Sequence, residues 1–432
     1  MSSVADWGVC EAVAALEVGD VSALELTSTC LDRIEGPRGR ALNAFIHVAA
    51  NDALAAAAAS DGRRTAGKPL SRLDGVPIAI KDNIDAQGMP TTNGLGTCWM
   101  PMTDASVVQR LHDAGMVILG KLNMHEAALG ATTDNPHHGR CEHPAFPGFT
   151  PGGSSGGSAV AVAARLCPIA LGTDTMGSVR LPAAYCGIVG FKPSRDYWPT
   201  DGVMPLAFGL DTIGPLARSV GDIAFLLGER LDAFGPATLR FAQLANAGQV
   251  TIEAECLAAL DAALAVLATL GVAAACVHVP GYDPGQARRA GLIVSEVDAA
   301  QVHARLLQIA PHAFSPAFRA MLDYGMRVPP ERYQAERRNL AIVGTAFLDV
   351  FDECDVVLTL TAPQRAFSFD TSVPVNQADL TALANFAGCP ALSLPLPVPA
   401  GAFPVGLQLI AAPGRDTMVL SAGAWIESCL QV

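Results

Sequence analysis

The stretch PGGSSGGS, from Pro151 to Ser158, is the most unusual segment of the chain, and the interpretation of the fold starts from it. Its four glycines and three serines precede a helix of small residues predicted over 158–166, and a short strand is predicted at 169–171. Glycines at a helix N-terminus let backbone N–H groups converge, which favours an anion or a developing oxyanion. A flexible Gly/Ser linker is the alternative, although this stretch lies between two apolar elements.

Two other known motifs fit this stretch less well. No Gly-Lys-Ser or Gly-Lys-Thr follows it, so the pattern of a nucleotide-binding P-loop is absent. Residues 152–156 match the G-x-S-x-G of a nucleophile elbow, but residues 147–151 make a poor strand. The histidines that follow, which such a triad would need, all lie in a stretch that we interpret as peripheral: His278, His303 and His312.

A second polar segment, GTDTMGSVR from Gly172 to Arg180, follows the strand predicted at 169–171. Polar groups at the carboxyl end of a strand are well placed to act on a ligand, whereas a tight turn with an Asp174–Arg180 pair is the plainer interpretation. Lys81 ends the apolar run at 76–80. If it is desolvated, its pKa falls and a neutral amine can accept a proton; exposure at the strand end is the alternative.

Further along the chain, short strands alternate with helices, which is typical of an α/β layered fold. The early strands (near 76–80, 116–119, 169–171 and 187–191) and the late ones (356–360, 391–394 and 405–410) have no long linker between them, so we expect one sheet. Residues of about 235–350 are predicted to be mainly helical and peripheral, with one strand near 273–279. We expect Asp104 to cap a helix that ends at Gly115.

Composition excludes several classes of protein. The net charge is −13 and no cluster of basic residues occurs, so nucleic acid is not expected as a direct partner. Eleven cysteines are scattered with no C-x-x-C pair, which is typical of reduced thiols in a cytoplasmic protein. The first residues lack the pattern of a signal peptide, and no uninterrupted apolar run reaches ~18 residues, so no membrane association is expected.

Together these segments resemble the amidase signature family. The resemblance rests on residues 75–85 and 152–194, above all GGSSGGSAVAV (152–162) and GTDTMGSVRLPAAYCG (172–187). Blocks at 210–218, 385–391 and 403–409 extend it, and it is weakest at about 230–350. The resemblance implies an α/β fold: a single domain over 1–432, in which a central mixed β-sheet is flanked by helices on both faces.

The resemblance also implies a catalytic set. In this family the serine of the second block is the nucleophile, here Ser178, and a second serine relays protons, here Ser154. The base is the lysine that ends the first strand, here Lys81. The peptide bond before the relay serine is cis in the family, and Gly153 stands at that position. The implied reaction is hydrolysis of a small-molecule carboxylic amide, and it needs neither cofactor nor metal.

The remaining site residues follow from the same resemblance. The oxyanion hole would be formed by four consecutive backbone N–H groups, those of Thr175, Met176, Gly177 and Ser178. Three further side chains match family positions that brace the two loops, namely Ser155, Asp174 and Arg180.

One residue departs from the family pattern, since Met176 stands where the family usually has glycine. Its N–H is retained, but the side chain is expected to crowd the acyl pocket, or to strain the loop if that position needs a positive φ. We expect a change in substrate shape. An inactive binding protein on the same fold is the alternative that Met176 raises.

Two alternatives for the activity stay open. The chain resembles short stand-alone amidases, such as malonamidase-like and indoleacetamide-hydrolase-like enzymes, but also the glutaminase (A) subunit of tRNA-dependent amidotransferases. That glutaminase commonly has glutamine where this chain has Thr212, which is weak evidence against it. A homodimer is a further prediction. Among other candidates, a local group of His137, His138, Cys141 and His143 is interpreted as loop residues rather than a metal site.

Overall fold

The structure is a computed structural model that describes residues 4–233 and 239–430. Residues 235–238 of the stretch predicted to be helical lie outside the described residues. The helices longer than one 3-10 turn are α1 (Val9–Val18), α2 (Ala23–Glu35), α3 (Pro37–Leu42), α4 (Ala50–Thr65), α5 (Ser106–Asp113), α6 (Gly156–Ala163), α7 (Arg180–Cys186), α8 (Val220–Leu227), α9 (Ala254–Thr269), α10 (Pro284–Ile309), α11 (Pro316–Arg327), α12 (Pro330–Leu348), α13 (Ala382–Phe386) and α14 (Asp416–Leu430).

The strands are as short as the sequence patterns predict. They are β1 (Phe45–Val48), β2 (Pro77–Lys81), β3 (Val117–Leu122), β4 (Asp134–Asn135), β5 (Gly139–Arg140), β6 (Ile169–Asp174), β7 (Val189–Lys192), β8 (Thr212–Ala217), β9 (Phe241–Leu244), β10 (Ala275–Val277), β11 (Val356–Leu360), β12 (Ala391–Pro395) and β13 (Gly406–Ile410). Strands β4 and β5 form a small separate hairpin.

Within the described residues, the other strands form one 11-stranded mixed sheet in the order β1-β3-β2-β6-β8-β7-β12-β13-β11-β9-β10. Strand β2 is parallel to both β3 and β6, whereas β8 is antiparallel to β6 and β7. The pairing of β7 with β12 joins the early strands to the late ones. The expectation of a single sheet in an α/β fold is confirmed, and helices pack around it.

The register of the central strands determines where the polar side chains meet. Ile80 of β2 lies opposite Leu171 of β6, so Lys81 and the end of β6 reach the same edge of the sheet. The apolar residues of the central strands, mostly Ile, Ala, Val and Leu, are fully buried. Such strands are covered by other elements on both faces of the sheet. Burial of the strands fixes the register and therefore the position of the polar residues that follow them.

The stretch predicted to be mainly helical contains helices α9–α12 and the strands β9 and β10. Strand β10 corresponds to the one predicted near 273–279, but β9 was not predicted. It has only four residues, one of them Gln243, and it forms because it pairs with β11 on one side and β10 on the other. Local pattern carries little signal for so short a strand.

The glycine run differs from the prediction at its boundary, because helix α6 begins at Gly156 rather than Ser158. A Cβ on Gly157 would lie 2.6 Å from Asn123 N and 2.7 Å from Ala44 O. Part of the run is therefore helical, and its glycines let the helix approach neighbouring backbone closely. This excludes the interpretation as a flexible linker.

Two further findings concern the N-terminus of α5 and the length of the apolar helices. Asp104 does not cap α5: Ala105 is the cap residue, and Asp104 Oδ1 instead accepts a hydrogen bond of 2.7 Å from Gln87 N. The Asp104 carboxylate therefore stabilises the preceding loop and does not cap the helix. No helix in the described part of the chain is long and apolar enough to span a membrane.

Candidate active site

Lys81, the last residue of β2, is fully buried at the carboxyl edge of the sheet. Its Nζ lies 2.7 Å from Ser154 Oγ and 2.9 Å from Thr173 Oγ1. Burial lowers the pKa of Lys81 to about 7, although the negative charges of Asp174 and Asp211 oppose the shift. An appreciable fraction of this amine is therefore neutral at physiological pH and can accept a proton. The alternative of an exposed lysine at the strand end is excluded.

Ser154 is completely buried between the Lys81 amine and the backbone of a neighbouring loop. The peptide bond between Gly153 and Ser154 is cis, as the resemblance implies. Ser154 C=O accepts a hydrogen bond of 3.0 Å from His125 N–H. A Cβ on Gly153 would lie 2.9 Å from Thr132 N, so the close packing at this turn requires glycine.

Ser178 follows β6 and is only partly buried, unlike Ser154. The backbone of the two serine segments is joined directly, because Ser155 N–H donates to Ser178 C=O at 3.2 Å. Ser155 Oγ also donates to Thr173 O at 3.2 Å. The structure therefore brings the two glycine-rich segments together, with the partly exposed serine on one and the buried serine on the other.

Asp174 and Arg180 form a fully buried ion pair below the second segment. Arg180 Nη2 lies 2.8 Å from Asp174 Oδ1, and Arg180 Nε lies 3.0 Å from Oδ2. Burial alone would raise the pKa of Asp174, but the charge and hydrogen bonds of Arg180 hold it below its usual range. Arg180 also donates to Thr381 O, Gln408 Oε1 and Asn385 Oδ1. The pair thus anchors the segment to the late part of the chain.

The backbone donors of the second segment differ from the expected set at Gly177. Its N–H donates to Asp174 Oδ1 at 2.7 Å and does not face an open site. The reason is the orientation of the Met176–Gly177 peptide, whose carbonyl accepts a hydrogen bond of 2.6 Å from Thr381 Oγ1. Among the hydrogen bonds of the described residues, none occupies the N–H groups of Thr175, Met176 or Ser178.

Met176 lies outside the left-handed region of backbone conformation, so the strain considered for this position does not arise. The positive φ falls on Gly177, at 134°. A side chain at position 176 is therefore compatible with the turn, and its N–H keeps the place that glycine would give it.

Several polar side chains of the site were not singled out from the sequence; of Thr175, only the backbone N–H was. Thr173 Oγ1 accepts a hydrogen bond from Lys81 and another, of 3.1 Å, from Asn83 Nδ2. Thr175 Oγ1 donates to Asp211 at 2.6 Å, and desolvation raises the pKa of Asp211 to about 6. These residues lie inside the motifs that carry the resemblance, so their place in a motif was the available signal. Their partners depend on sheet pairing.

The other candidates are used elsewhere. His143 Nε2 contacts Tyr185 O at 2.9 Å and His137 Nε2 contacts Glu126 Oε1 at 3.0 Å. In residues 4–233 and 239–430, no group of three or more His, Cys, Asp or Glu side chains could hold a metal. His303 packs against Phe314 and Phe318. It does not accompany Ser154, whose hydroxyl contacts Lys81, so the nucleophile-elbow interpretation is not supported.

Comparison with known proteins shows the family to which the chain belongs. The family model described as Amidase matches residues 25–233 and 235–420. The chain belongs to the amidase family. The predicted resemblance is therefore confirmed over nearly the whole chain, and the expected class of enzyme, one acting on C–N bonds, is confirmed with it.

Individual relatives align with this amidase over almost its full length. It is 33% identical to the A-type subunit of the glutamyl-tRNA(Gln) amidotransferase of Thermobifida fusca, across 100% of this chain and 97% of that one. The crystal structure of an amidase superimposes with a TM-score of 0.92 at 30% identity, covering 98% of this chain and all of the other. A bacterial aryl acylamidase of the amidase signature family gives a TM-score of 0.88 at 26% identity, covering 98% and 96% of the two chains.

Proposed function

We propose that this amidase hydrolyses a carboxylic amide through an acyl-enzyme on Ser178, with Ser154 and Lys81 as a proton relay. The observation that carries the proposal is the fully buried Lys81 amine, 2.7 Å from Ser154 Oγ. Its pKa of about 7 leaves a neutral base next to a buried hydroxyl. A base whose pKa lies near the working pH is efficient in proton transfer.

In the first half of the reaction, the lone pair of Lys81 takes the Ser154 proton while Ser154 Oγ takes the proton of Ser178. Ser178 Oγ attacks the amide carbon, and the carbonyl oxygen becomes an oxyanion. The relay then runs backwards and delivers that proton to the leaving nitrogen. The C–N bond breaks, and ammonia or an amine departs.

In the second half, water replaces the amine. It gives a proton to the same relay, attacks the acyl carbon and releases the carboxylic acid, and Ser178 recovers its proton. The backbone N–H groups of Thr175, Met176 and Ser178 are the donors we assign to the oxyanion, because the Gly177 N–H is directed to Asp174. Losing one such donor typically raises the barrier by ~2.7–4 kcal/mol.

The test is ammonia release from a panel of primary amides: aliphatic, aryl-acetyl, dicarboxylic monoamide and glutamine. We expect turnover by the purified chain and labelling by a serine-directed fluorophosphonate. Ser178→Ala should abolish both, whereas Ser428→Ala, a change on the exposed side of α14, should alter neither. Labelling that persists in Ser178→Ala and disappears in Ser154→Ala would reverse the assigned roles.

A second candidate function is favoured by the full-length similarity to the A-type component of a glutamyl-tRNA(Gln) amidotransferase. In that case the chain would supply ammonia within a tRNA-dependent amidotransferase complex, with glutamine as the amide. Thr212, which pairs with Asp174 across β8 and β6, is weak evidence against it. Glutamine turnover that appears only after partner subunits are added would support this candidate. Turnover of simple amides by the chain alone would contradict it.

A non-catalytic binding protein is not retained, because the relatives are enzymes and Met176 is accommodated without strain. A homodimer and a cytoplasmic location stay predictions. The oligomeric state can be measured by analytical ultracentrifugation of the purified chain.

A further inference from the structure

The side chain of Met176 lies directly against helix α10. Its Sδ is 2.6 Å from the point that a Cβ on Gly291 would occupy, and the ring carbon Cζ of Phe386 is 3.0 Å from the same point. Real Cβ atoms essentially never lie as close as 2.6 Å to another heavy atom, so glycine at position 291 is what allows the methionine sulfur to lie there. Residue 176 and residue 291 are therefore matched in size.

This contact occurs two residues before the nucleophile that we propose. The carbonyl of Met176 is held by Thr381 Oγ1, which fixes the backbone of the loop. Met176 and Ser178 are both partly exposed, whereas Gly177 between them is buried. The methionine side chain consequently lies between the nucleophile loop and α10, and part of it remains accessible to solvent.

The geometry of amide attack determines which part of a substrate would lie there. The leaving nitrogen must face Ser154 to receive its proton, and the oxyanion must face the N–H groups of the 175–178 loop. The remaining substituent of the tetrahedral carbon is the carbon chain of the acyl group. It must lie on the side that Ser154 and the oxyanion donors leave free, and we assign Met176 and α10 to that side.

We propose that Met176 and Gly291 act as a pair that determines acyl specificity, restricting this amidase to compact acyl groups. The inference rests on the proposed function and deepens it, because it assigns a substrate class to the same site. Gly291 belongs to the part of the chain where the resemblance is weakest. The pair thus gives α10 a direct part in selecting the substrate.

The experiment measures kcat/KM for p-nitrophenyl esters of acetyl, butanoyl, hexanoyl and phenylacetyl groups, which acylate Ser178 without requiring the natural amide. Met176→Gly should lower the preference for acetyl over phenylacetyl at least tenfold, because space opens beside the acyl carbon. Gly291→Ala should displace the methionine and lower all rates at least tenfold. In the Met176→Gly background, the same Gly291→Ala change should cost less than threefold.

The matched control is Gly285→Ala on the same helix, where a new Cβ meets nothing closer than 3.4 Å, and its rates should stay at the wild-type level. An unchanged acyl preference in Met176→Gly, or an equal effect of Gly291→Ala in both backgrounds, would overturn the inference alone. Wild-type hydrolysis no faster than that of Ser178→Ala would overturn the proposed function itself, and the inference with it.

Discussion

At the scale of single residues, the chemistry depends on one amine kept away from water. Lys81 has no carboxylate within hydrogen-bond distance among the described residues; its close contacts are the hydroxyls of Ser154 and Thr173. A neighbouring carboxylate at contact distance would hold the proton on the amine and remove the base. The arrangement therefore combines desolvation with neutral partners, which is what a lysine base requires.

We predict that kcat/KM rises with pH through about 7 and levels off above it, because Lys81 must lose its proton to act as base. Asp211 favours the charged lysine, so Asp211→Asn should move this limb to lower pH. Initial-rate assays of amide hydrolysis from pH 5 to 9 measure the pH profiles of kcat/KM for the wild type and for Asp211→Asn. A limb that moves to higher pH in the variant would contradict the assignment of the base.

We also predict that Lys81→Met lowers kcat on the order of 10²–10⁴-fold, the usual contribution of a general base. Methionine fills a similar volume without a buried amine, so the free energy of unfolding at pH 7 should not fall. Urea denaturation followed by circular dichroism provides that control. A variant that loses activity only because it unfolds would show a lower midpoint.

We predict that replacing one partner of the buried Asp174–Arg180 ion pair lowers the free energy of unfolding strongly. Asp174→Asn leaves the guanidinium of Arg180 buried without its counter-charge, and Lys192, also fully buried, lies close enough to repel it. Breaking such a pair costs about 3–5 kcal/mol. We expect a loss of that size in the free energy of unfolding. The double variant Asp174→Asn/Arg180→Met should lose less than the sum of the two single changes.

At the scale of elements, the nucleophile loop is held by residues that are distant in the chain. Thr381, just before α13, donates to the Met176 carbonyl, so it orients the peptide whose N–H points to Asp174. Thr381→Val keeps the shape and removes the hydrogen bond. With a net value of ~0.5–1.5 kcal/mol for such a bond, kcat should fall about 2–12-fold with KM unchanged. Thr381→Ser should restore kcat, and failure to do so would argue against a positioning role.

The glycines of α6 give a second prediction at this scale. A Cβ on Gly157 would press on the backbone of Asn123, so Gly157→Ala should cost about 1–3 kcal/mol of unfolding free energy. Gly62→Ala in α4 is the matched control, since nothing lies within 4 Å of its new Cβ. There the change should stabilise the protein by ~0.5–1 kcal/mol. Equal effects at both positions would contradict the packing argument.

At the scale of the whole molecule, the sheet makes the two halves of the chain depend on each other. Strands from residue 45 to residue 410 pair in one sheet, and the bonds from Arg180 to Asn385 and Gln408 cross between those halves. We predict that activity, near-ultraviolet circular dichroism and tryptophan fluorescence are lost in one urea transition. Two separated transitions would contradict the prediction of a single domain over 1–432.

Much of this protein can be read from its motifs. The alternation of short apolar runs with helices predicts an α/β fold, and the family resemblance carried by the motifs around Lys81, Ser154 and Ser178 implies the candidate set. The prediction of the fold is confirmed, because buried strands and glycine-rich turns leave strong local patterns. The catalytic roles of the candidate set stay a prediction. Strand β9 and the first residue of α6 were not predicted from these patterns, because both depend on contacts with residues that are distant in the chain.

Tertiary structure alone decided the remaining properties. Whether the lysine was buried or exposed depended on what β2 packs against. Which N–H groups stay free on the nucleophile loop depended on Thr381, about 200 residues further along the chain. The place of the Met176 side chain depended on a glycine of α10. The physical reason is the same in each case: desolvation, peptide orientation and close packing depend on atoms that lie far apart in the chain and meet only in the folded protein.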